Sequence, residues 1–229
     1  MLNEAFCAAT IGGLLWLDRY QIGQLMISRP IVVGPIIGGA LGDFSVGLAV
    51  GVLFEVLWLR RPPIGGFIAP DVTFASTVAT AVAVIVRNQI YFDILALALL
   101  SFMLFMPLSF LGSKLDLLLR LCMGKLSIPA EQAIAQRDGP KIALLFITSL
   151  VLGFAICMVA LFPIIIFGTI VLRHLLEVWP ENLTEALKFA YFTIPAIGSL
   201  DMVAGNFEKS TFALFLIGFV STICCYLFL

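Results

Sequence analysis

The chain has 229 residues, of which 62% are apolar and 12% are charged. An ordinary soluble domain has about 25% charged residues. The sequence therefore cannot supply a polar surface, and its composition predicts an integral membrane protein. Thirteen Lys and Arg against fourteen Asp and Glu give a formal net charge of −1, so the charge gives no indication of nucleic-acid binding.

Several apolar runs approach the roughly 20 residues that cross about 30 Å of hydrocarbon. The first, from Ala5 to Leu17, follows Glu4 rather than a basic segment and lacks a small-residue cleavage site, so we interpret it as part of the protein and not as a signal peptide. The later runs cover 31–59, 67–86, 90–112, 142–172, 184–200 and 211–229. We expect an all-α, polytopic membrane protein, a single embedded domain over 1–229 with roughly six to eight transmembrane or re-entrant helices.

The run at 31–59 is too long for one span, because a single helix of this length would measure about 43 Å. Gly42 and Asp43 interrupt its middle, which predicts two half-length helices that meet at a turn. Irregular backbone at membrane depth occurs only where protein or a polar cavity covers it, and broken helices mark substrate sites in transporters. We therefore expect 31–86 to form a re-entrant region around a polar site near the membrane midplane. The run at 142–172 contains Pro163 and predicts a kinked span.

The distribution of basic residues predicts the orientation. Residues 114–141 contain five of the thirteen basic residues and are broken by prolines and a glycine, so we predict a cytoplasmic loop there. The turn at 87–89 is then external. A hairpin at 31–59 brings Arg29 to the cytoplasmic side with Arg60 and Arg61, whereas a single span would place Arg29 outside.

Three carboxylates lie where insertion into lipid costs roughly 2.5–3.5 kcal/mol at a helix centre, and such residues are functional candidates. They are Asp43, Glu55 and Asp71. Glycines precede the first two at intervals of four residues, which places each set on one helix face and allows another backbone to approach closely. The sets are Gly34, Gly38 and Gly42 before Asp43, and Gly47 and Gly51 before Glu55. Alternatively, the glycines only pack helices, and the acids pair with Arg29, Arg60 or Arg61.

The segment 60–71 is rich in proline and glycine, so it cannot form regular helix. A helix is predicted to begin near Asp71, whose carboxylate can cap it, and hydroxyl side chains follow. An unwound loop with Gly65 and Gly66, a carboxylate and the hydroxyl of Ser76 suits a polar, uncharged ligand such as a sugar. Trp58 or Phe67 could lie against the apolar face of the sugar. The alternative is a capped helix after a surface turn.

The other polar residues admit simpler explanations. Asp18 and Arg19 are either interfacial anchors or part of the site, Gln24 is a weaker candidate, and Arg29 is a topology determinant or a site residue. His174 is predicted to be a surface histidine in a polar turn. The five cysteines are interpreted as small packing residues without a metal site: Cys7, Cys122, Cys157, Cys224 and Cys225.

Five linked motifs between Leu17 and about Thr80 resemble the enzyme IIC component of the mannose/fructose/sorbose group of phosphotransferase systems. They are Leu17-Asp18-Arg19, the segment from Gln24 to Pro35, Gly38 to Asp43, Gly47 to Trp58, and Pro63 to Asp71. The rest of the chain matches that family in hydropathy and length.

The resemblance implies a sugar-binding transport subunit of the bacterial cytoplasmic membrane, with no cofactor and no catalytic residue of its own. It further implies a IID membrane partner, IIA and IIB phosphocarrier proteins, and a trimer of IIC–IID pairs that moves a hexose inward by an elevator-like shift. By the family pattern, Glu55, Asp71 and the Pro-Gly loop form the sugar site. The complete candidate set is Glu55, Asp71, Gly65, Gly66, Ser76, Asp43, Gln24 and Asp18.

Two other functions remain open from the residues alone. An ion- or proton-coupled secondary transporter would use the same carboxylates with another energy source. An intramembrane aspartyl protease would need Asp43 and Asp71 to share a proton, but the Gly-x-Gly-Asp signature of those enzymes is missing. The sequence does not indicate which sugar is carried.

Overall fold

The structure, a computed structural model, describes residues 1–58 and 70–204. This part of the chain contains eight α-helices and no strand, which confirms the predicted all-α fold. The predicted Pro-Gly loop with Gly65 and Gly66, and the apolar run at 211–229, lie outside the described residues. The helices are α1 (Leu2–Leu17), α2 (Pro30–Leu41), α3 (Phe44–Trp58), α4 (Val72–Arg87), α5 (Ile94–Phe105), α6 (Leu108–Ala135), α7 (Gly139–Glu177) and α8 (Glu181–Ala204).

Helix α4 forms the centre of the bundle. Its residues from Thr73 to Val86 are all buried, and α1, α2, α3, α5, α6 and α7 pack around it. The helix consists mainly of alanine, valine and small hydroxyl residues, so neighbours can approach it from every side. A helix that is apolar or small all round belongs in the interior of a bundle.

Helices α2 and α3 form a hairpin, as the interrupted run at 31–59 predicted. Gly42 adopts a left-handed conformation with φ of +100°, which favours glycine and ends α2. The Asp43 N–H then donates to the Gly38 carbonyl at 2.7 Å, and the Asp43 carboxylate accepts from the Val46 N–H at 3.1 Å. Asp43 therefore caps the N-terminus of α3.

The glycine faces of α2 and α3 pack against each other. A Cβ atom at Gly34 would lie closer than 3.0 Å to the Gly47 carbonyl, and a Cβ at Gly51 would lie equally close to the Pro30 carbonyl. No larger residue fits between two backbones at this separation. The glycine pattern therefore serves helix packing, which is the alternative that the sequence left open.

The Gly42–Asp43 turn lies beside the C-terminus of α4 and not beside its middle. Arg87, the last residue of α4, forms an ion pair with Asp43, and the Asn88 side-chain amide donates to the Leu41 carbonyl at 3.1 Å. The hairpin thus runs the full length of α4, which is about 24 Å for its 16 residues. Arg29 and Arg87 lie at opposite ends of the bundle, as the predicted hairpin requires.

The apolar run at 90–112, predicted as one span, does not form one continuous helix. Helix α5 ends at Phe105, and α6 begins at Leu108 after a bend of 50°. Pro107 explains the break, because proline lacks the N–H that would continue the hydrogen bonds of α5.

The predicted loop at 114–141 is also wrong for most of its length. Helix α6 continues to Ala135 with Pro129 inside it, and only residues 136–138 separate it from α7. This segment is polar but rich in Leu, Lys, Arg, Ala and Gln, which are good helix formers. Its polarity indicated a loop, whereas its helix propensity decided the structure.

Helix α7 is the longest, with 39 residues, and it continues through Pro163. It extends to Glu177, so His174 lies in its last turn and the predicted polar turn shrinks to 178–180. Within the described ranges, α7 is the one helix long and apolar enough to cross a membrane by itself. The bent pair of α5 and α6 would make a second span.

Substituting Gly34 tests the packing of the hairpin. We expect Gly34→Ala to lower the free energy of unfolding by about 1–3 kcal/mol, because the added methyl group forces the two backbones apart. The matched control is Gly39→Ala on the same helix, where a Cβ would meet only the Phe44 ring at 3.9 Å. Thermal unfolding of the purified proteins in detergent measures the difference. Equal stabilities of Gly34→Ala and Gly39→Ala would contradict the proposed packing of the glycine faces of α2 and α3.

Candidate functional site

Asp71 lies at the N-terminus of α4 and is completely buried. Its carboxylate accepts from the Phe74 N–H at 3.0 Å, which confirms the predicted helix cap. Trp16 from α1 donates its indole N–H to the same carboxylate at 2.5 Å, and Arg19 forms an ion pair with it at 2.5 Å. A buried carboxylate requires such compensation, since an unpaired buried charge is strongly destabilising.

Helix α6 completes the surroundings of Asp71. The Asp71 N–H donates to the Ser109 carbonyl at 2.8 Å. One turn later, Gly112 lies directly against the Asp71 side chain, where a Cβ would be 2.5 Å from the Asp71 Cβ. The site is therefore assembled from α1, α4 and α6.

A second ion pair lies next to the first. Asp116 is buried in α6 and accepts from the Arg120 Nε at 3.2 Å. The Tyr20 ring contacts both arginines, with the guanidinium carbons of Arg19 and Arg120 at 5.1 and 5.2 Å from its centre. These distances are within the range of cation–π contacts. Arg19 also donates to the Tyr20 hydroxyl at 2.9 Å.

The charges in this cluster act on Arg19. Burial lowers the pKa of its guanidinium, but the carboxylate of Asp71, together with Tyr20 and Asp116, raises the pKa above its ordinary value. Arg19 therefore remains a cation between two buried carboxylates.

Asp18 fixes the conformation of the segment that joins α1 to α2. Its carboxylate accepts from the Leu25 N–H at 2.7 Å and from the Ser28 N–H at 3.1 Å. The Ser28 carbonyl in turn accepts from the Thr73 hydroxyl at 2.7 Å, which ties this segment to α4. Asp18 thus organises the backbone beside Asp71 and is not a simple interfacial anchor.

Glu55 lies near the C-terminus of α3, beside the N-terminus of α2. Its side chain is only 10% exposed and forms an ion pair with Arg29 at 3.3 Å. The Ile31 N–H donates to the other carboxylate oxygen at 3.4 Å. Glu55 is connected to Asp18 and Asp71 through the short stretch from Ser28 to Ile31.

The structure divides the predicted site residues into two groups. Asp18, Glu55 and Asp71 lie at one end of the bundle, where α2 and α4 begin; we call this the Asp71 end. Asp43 lies at the opposite end with Arg87, so it is not part of this cluster. Ser76 is buried near the Asp71 end and donates to the Thr73 carbonyl at 3.1 Å. Gln24 is exposed in the segment between α1 and α2, where its φ is 50°.

Several residues of the cluster were not predicted from the sequence. Trp16 lies in the first apolar run, and Tyr20 was not among the candidates. Asp116 and Arg120 were assigned to a solvated loop. Their spacing of four residues is that of an ion pair on one helix face, and this pattern would have indicated a helix there.

The remaining candidates do not contribute to this site. His174 is exposed, as predicted, and lines a cavity of about 200 Å³ at the Asp43 end together with Gln89, Thr169 and Arg173. No group of three or more metal-ligating side chains occurs in the described ranges. Cys157 is buried among apolar residues, as expected for a packing residue.

The role of Asp18 predicts a pH-dependent stability. Burial raises the pKa of Asp18, but its hydrogen bonds from Leu25 and Ser28 lower it overall. The stabilisation is therefore present above the ordinary carboxyl pKa of about 3.9 and is lost as the pH falls through the lower value of the folded state. We expect Asp18→Asn to melt at a lower temperature than the wild type near neutral pH, with a difference that shrinks below about pH 4.

Melting temperatures across this pH range check the prediction. The control is Gln24→Asn, an exposed and uncharged change in the same segment. A difference between Asp18→Asn and wild type that stayed constant down to about pH 3 would show that the charge of Asp18 has no part in holding the segment.

Comparisons with known proteins agree on one family. The model of the family described as the sorbose-specific IIC component of the phosphotransferase system (PTS) matches residues 3–229. The mannose-specific EIIC component of the PTS from Escherichia coli K12 is 26% identical over 218 residues, covering 94% of this chain and 76% of that relative.

Two solved structures share the fold. A structure described as a membrane protein has a TM-score of 0.69 at 23% identity, and the match covers 97% of this chain and 85% of the chain in that structure. A cryo-EM structure of the mannose transporter ManYZ in complex with microcin E492 has a TM-score of 0.57 at 24% identity, with the same coverage of both chains.

Proposed function

Because this chain belongs to the family of sorbose-specific IIC components of the phosphotransferase system, we propose that it binds a hexose and moves it inward for phosphorylation by a IIB partner. Membership in the mannose and sorbose group makes it a sugar-transport component in a bacterial membrane. The partners that the family implies are a IID membrane subunit, IIA and IIB phosphocarriers, and further copies in a trimer of IIC–IID pairs.

One observation supports a sugar site at the Asp71 end. Three carboxylates from different segments, Asp18, Glu55 and Asp71, converge there in a bundle whose interior is otherwise largely apolar. A carboxylate accepts hydrogen bonds from adjacent hydroxyl groups of a sugar without needing a charged ligand. Buried ionisable groups in a membrane protein mark substrate pathways more often than packing.

Glu55 has acceptor capacity for a sugar. Its contacts with the described part of the chain, at 3.3 Å to Arg29 and 3.4 Å to the Ile31 N–H, are longer than the roughly 2.7–2.9 Å of a strong charge-assisted hydrogen bond. Its partner Arg29 is 42% exposed, so this pair lies at the edge of the cluster. We propose Glu55 and Asp71 as the principal sugar ligands, with Ser76, Gln24, Asp18 and the loop containing Gly65 and Gly66 completing the site.

The geometry argues against an aspartyl protease. Asp43 and Asp71 lie at opposite ends of α4, about 24 Å apart by the length of that helix, so the two carboxylates cannot share a proton. An ion-coupled transporter is distinguished by its product, because it would deliver free sugar and not sugar phosphate.

Removing the charge of Glu55 tests the site. We expect Glu55→Gln to weaken sugar binding about tenfold or more, since a hydrogen bond to a charged group contributes about 1.5–3 kcal/mol. Binding of mannose and sorbose to the purified chain with its IID partner, measured by calorimetry, gives the result. Uptake by cells that also carry the phosphocarriers should fall in parallel.

The matched control is Glu177→Gln, which removes an exposed glutamate that is likewise paired with an arginine. It should leave affinity and uptake at wild-type values. If Glu55→Gln bound sugar normally while inserting normally into membranes, the proposed site would be wrong. If the wild type bound no hexose, the proposed function itself would fail.

Asp43 gives a contrasting prediction. We expect Asp43→Asn to lower the melting temperature, because it breaks the ion pair with Arg87 and weakens the cap of α3. Sugar affinity should stay within about twofold of the wild type, since Asp43 lies at the other end of the hairpin. Loss of binding in a well-folded Asp43→Asn variant would return Asp43 to the sugar site.

A further inference from the structure

We propose that Arg19 is shared between two buried carboxylates, and that its movement from Asp71 towards Asp116 frees Asp71 to bind sugar. This inference rests on the proposed function. It makes Arg19, Asp116 and Arg120 positioning residues that set the sugar affinity of Asp71 without contacting the sugar.

Asp71 cannot accept a sugar hydroxyl in the arrangement seen here. Its carboxylate is fully buried, with Oδ2 accepting from the Trp16 indole and Oδ1 accepting from the Phe74 N–H and forming the ion pair with Arg19. Because Asp71 has no exposed surface, a sugar can reach the carboxylate only if one of these partners moves. The Phe74 donor is a backbone N–H inside α4, and the Trp16 side chain is only 2% exposed within α1.

Arg19 is the donor that can move. It follows the end of α1, in the segment between α1 and α2, and its long side chain reaches Asp71 across the edge of the cluster. Its Nε already donates to the Tyr20 hydroxyl, and Arg120 contacts the same Tyr20 ring. Rotation of the guanidinium group along the Tyr20 ring would carry it towards α6.

Asp116 is the second acceptor. It is 1% exposed, and its bond to Arg120 uses only one carboxylate oxygen, Oδ2. Its charge already acts on Arg19. Arg120 is 53% exposed, so it can turn towards solvent when Arg19 arrives.

The charge balance supports the exchange. The cluster contains two arginines and two aspartates, so the total charge of these four residues does not change when Arg19 moves from one carboxylate to the other. Sugar hydroxyls would then take the place of the guanidinium at Asp71. In this way Asp71 keeps hydrogen-bond donors from Trp16, Phe74 and the sugar when its cation leaves.

The two halves of the Asp116–Arg120 pair should have opposite effects on affinity. With Asp116→Asn, Arg19 loses its second acceptor and stays on Asp71, so the Kd for mannose should rise about fivefold or more. With Arg120→Gln, Asp116 loses its present partner and attracts Arg19 more strongly, so the Kd should fall by a similar factor. The double variant should behave like Asp116→Asn alone, because Arg120 acts only through Asp116.

A purely structural ion pair predicts a different result, since removing either partner would weaken binding equally or not at all. Both variants moving the Kd in the same direction, or neither moving it, would overturn the inference. If Asp116→Asn failed to fold, Arg120→Gln alone would decide, because tighter binding supports the exchange and unchanged or weaker binding contradicts it.

The matched control is the Arg173–Glu177 pair in α7, which has the same four-residue spacing and a similar distance of 3.1 Å but is exposed. Arg173→Gln and Glu177→Gln should keep the wild-type Kd. Calorimetry on the purified chain with its IID partner gives all values, with sorbose as the second sugar if mannose does not bind. If the wild type bound neither sugar, the proposed function would fail together with this inference. If the wild type bound sugar but the two variants did not change the Kd in opposite directions, only this inference would be overturned.

Discussion

The compensation of one buried charge organises the end of the bundle where α2 and α4 begin. Asp71 has no exposed surface, so each of its donors must come from the protein, and they come from three different places. Trp16 and Arg19 approach from α1 and the segment after it, the Phe74 N–H belongs to α4, and α6 closes over the side chain through Gly112. Removing a partner from a buried charge costs about 3–5 kcal/mol, which is a large part of the stability of a typical domain. The position of α1 and α6 around α4 therefore depends on this carboxylate.

The same compensation creates a conflict with sugar binding. A carboxylate that is buried and paired with Trp16 and Arg19 is stable but inaccessible, whereas a residue that binds sugar must be accessible to the sugar hydroxyl groups. Glu55 avoids this conflict because its contacts are long and its partner Arg29 is half exposed. At Asp71 the conflict can be resolved only if one of its donors can pair with a second acceptor nearby. In the proposed exchange Asp116 supplies that second acceptor, which gives the Asp116–Arg120 ion pair a role in the site.

The sequence was sufficient for the all-α fold, the α2–α3 hairpin, the cap at Asp71 and the family, because these follow from glycine spacing, local capping chemistry and motif order. It failed where hydropathy and polarity alone were used. The break at Pro107 and the helix at 114–135 follow from proline chemistry and local helix propensity, which a hydropathy pattern does not encode. The separation of Asp43 from Asp71 depends on the hairpin running the full length of α4. Trp16 could not be found from spacing along the chain, because it lies 55 residues before Asp71 and meets it only in the folded bundle.

Helix capping accounts for several of the aspartates in this apolar chain. Asp43, Asp71, Asp93 and Asp138 all accept from backbone N–H groups at the start of the helix that follows them. Capping alone therefore does not distinguish a binding residue from a structural one. Asp71 differs from the other caps because it is completely buried and also holds a cation and an indole from another part of the chain. Asp43 also has an arginine partner, but that arginine belongs to the end of α4 and fixes the turn of the hairpin. Complete burial combined with a cation partner that has a second carboxylate nearby is thus the feature that separates Asp71 from the other caps, and it is the basis for proposing Asp71 as a sugar ligand.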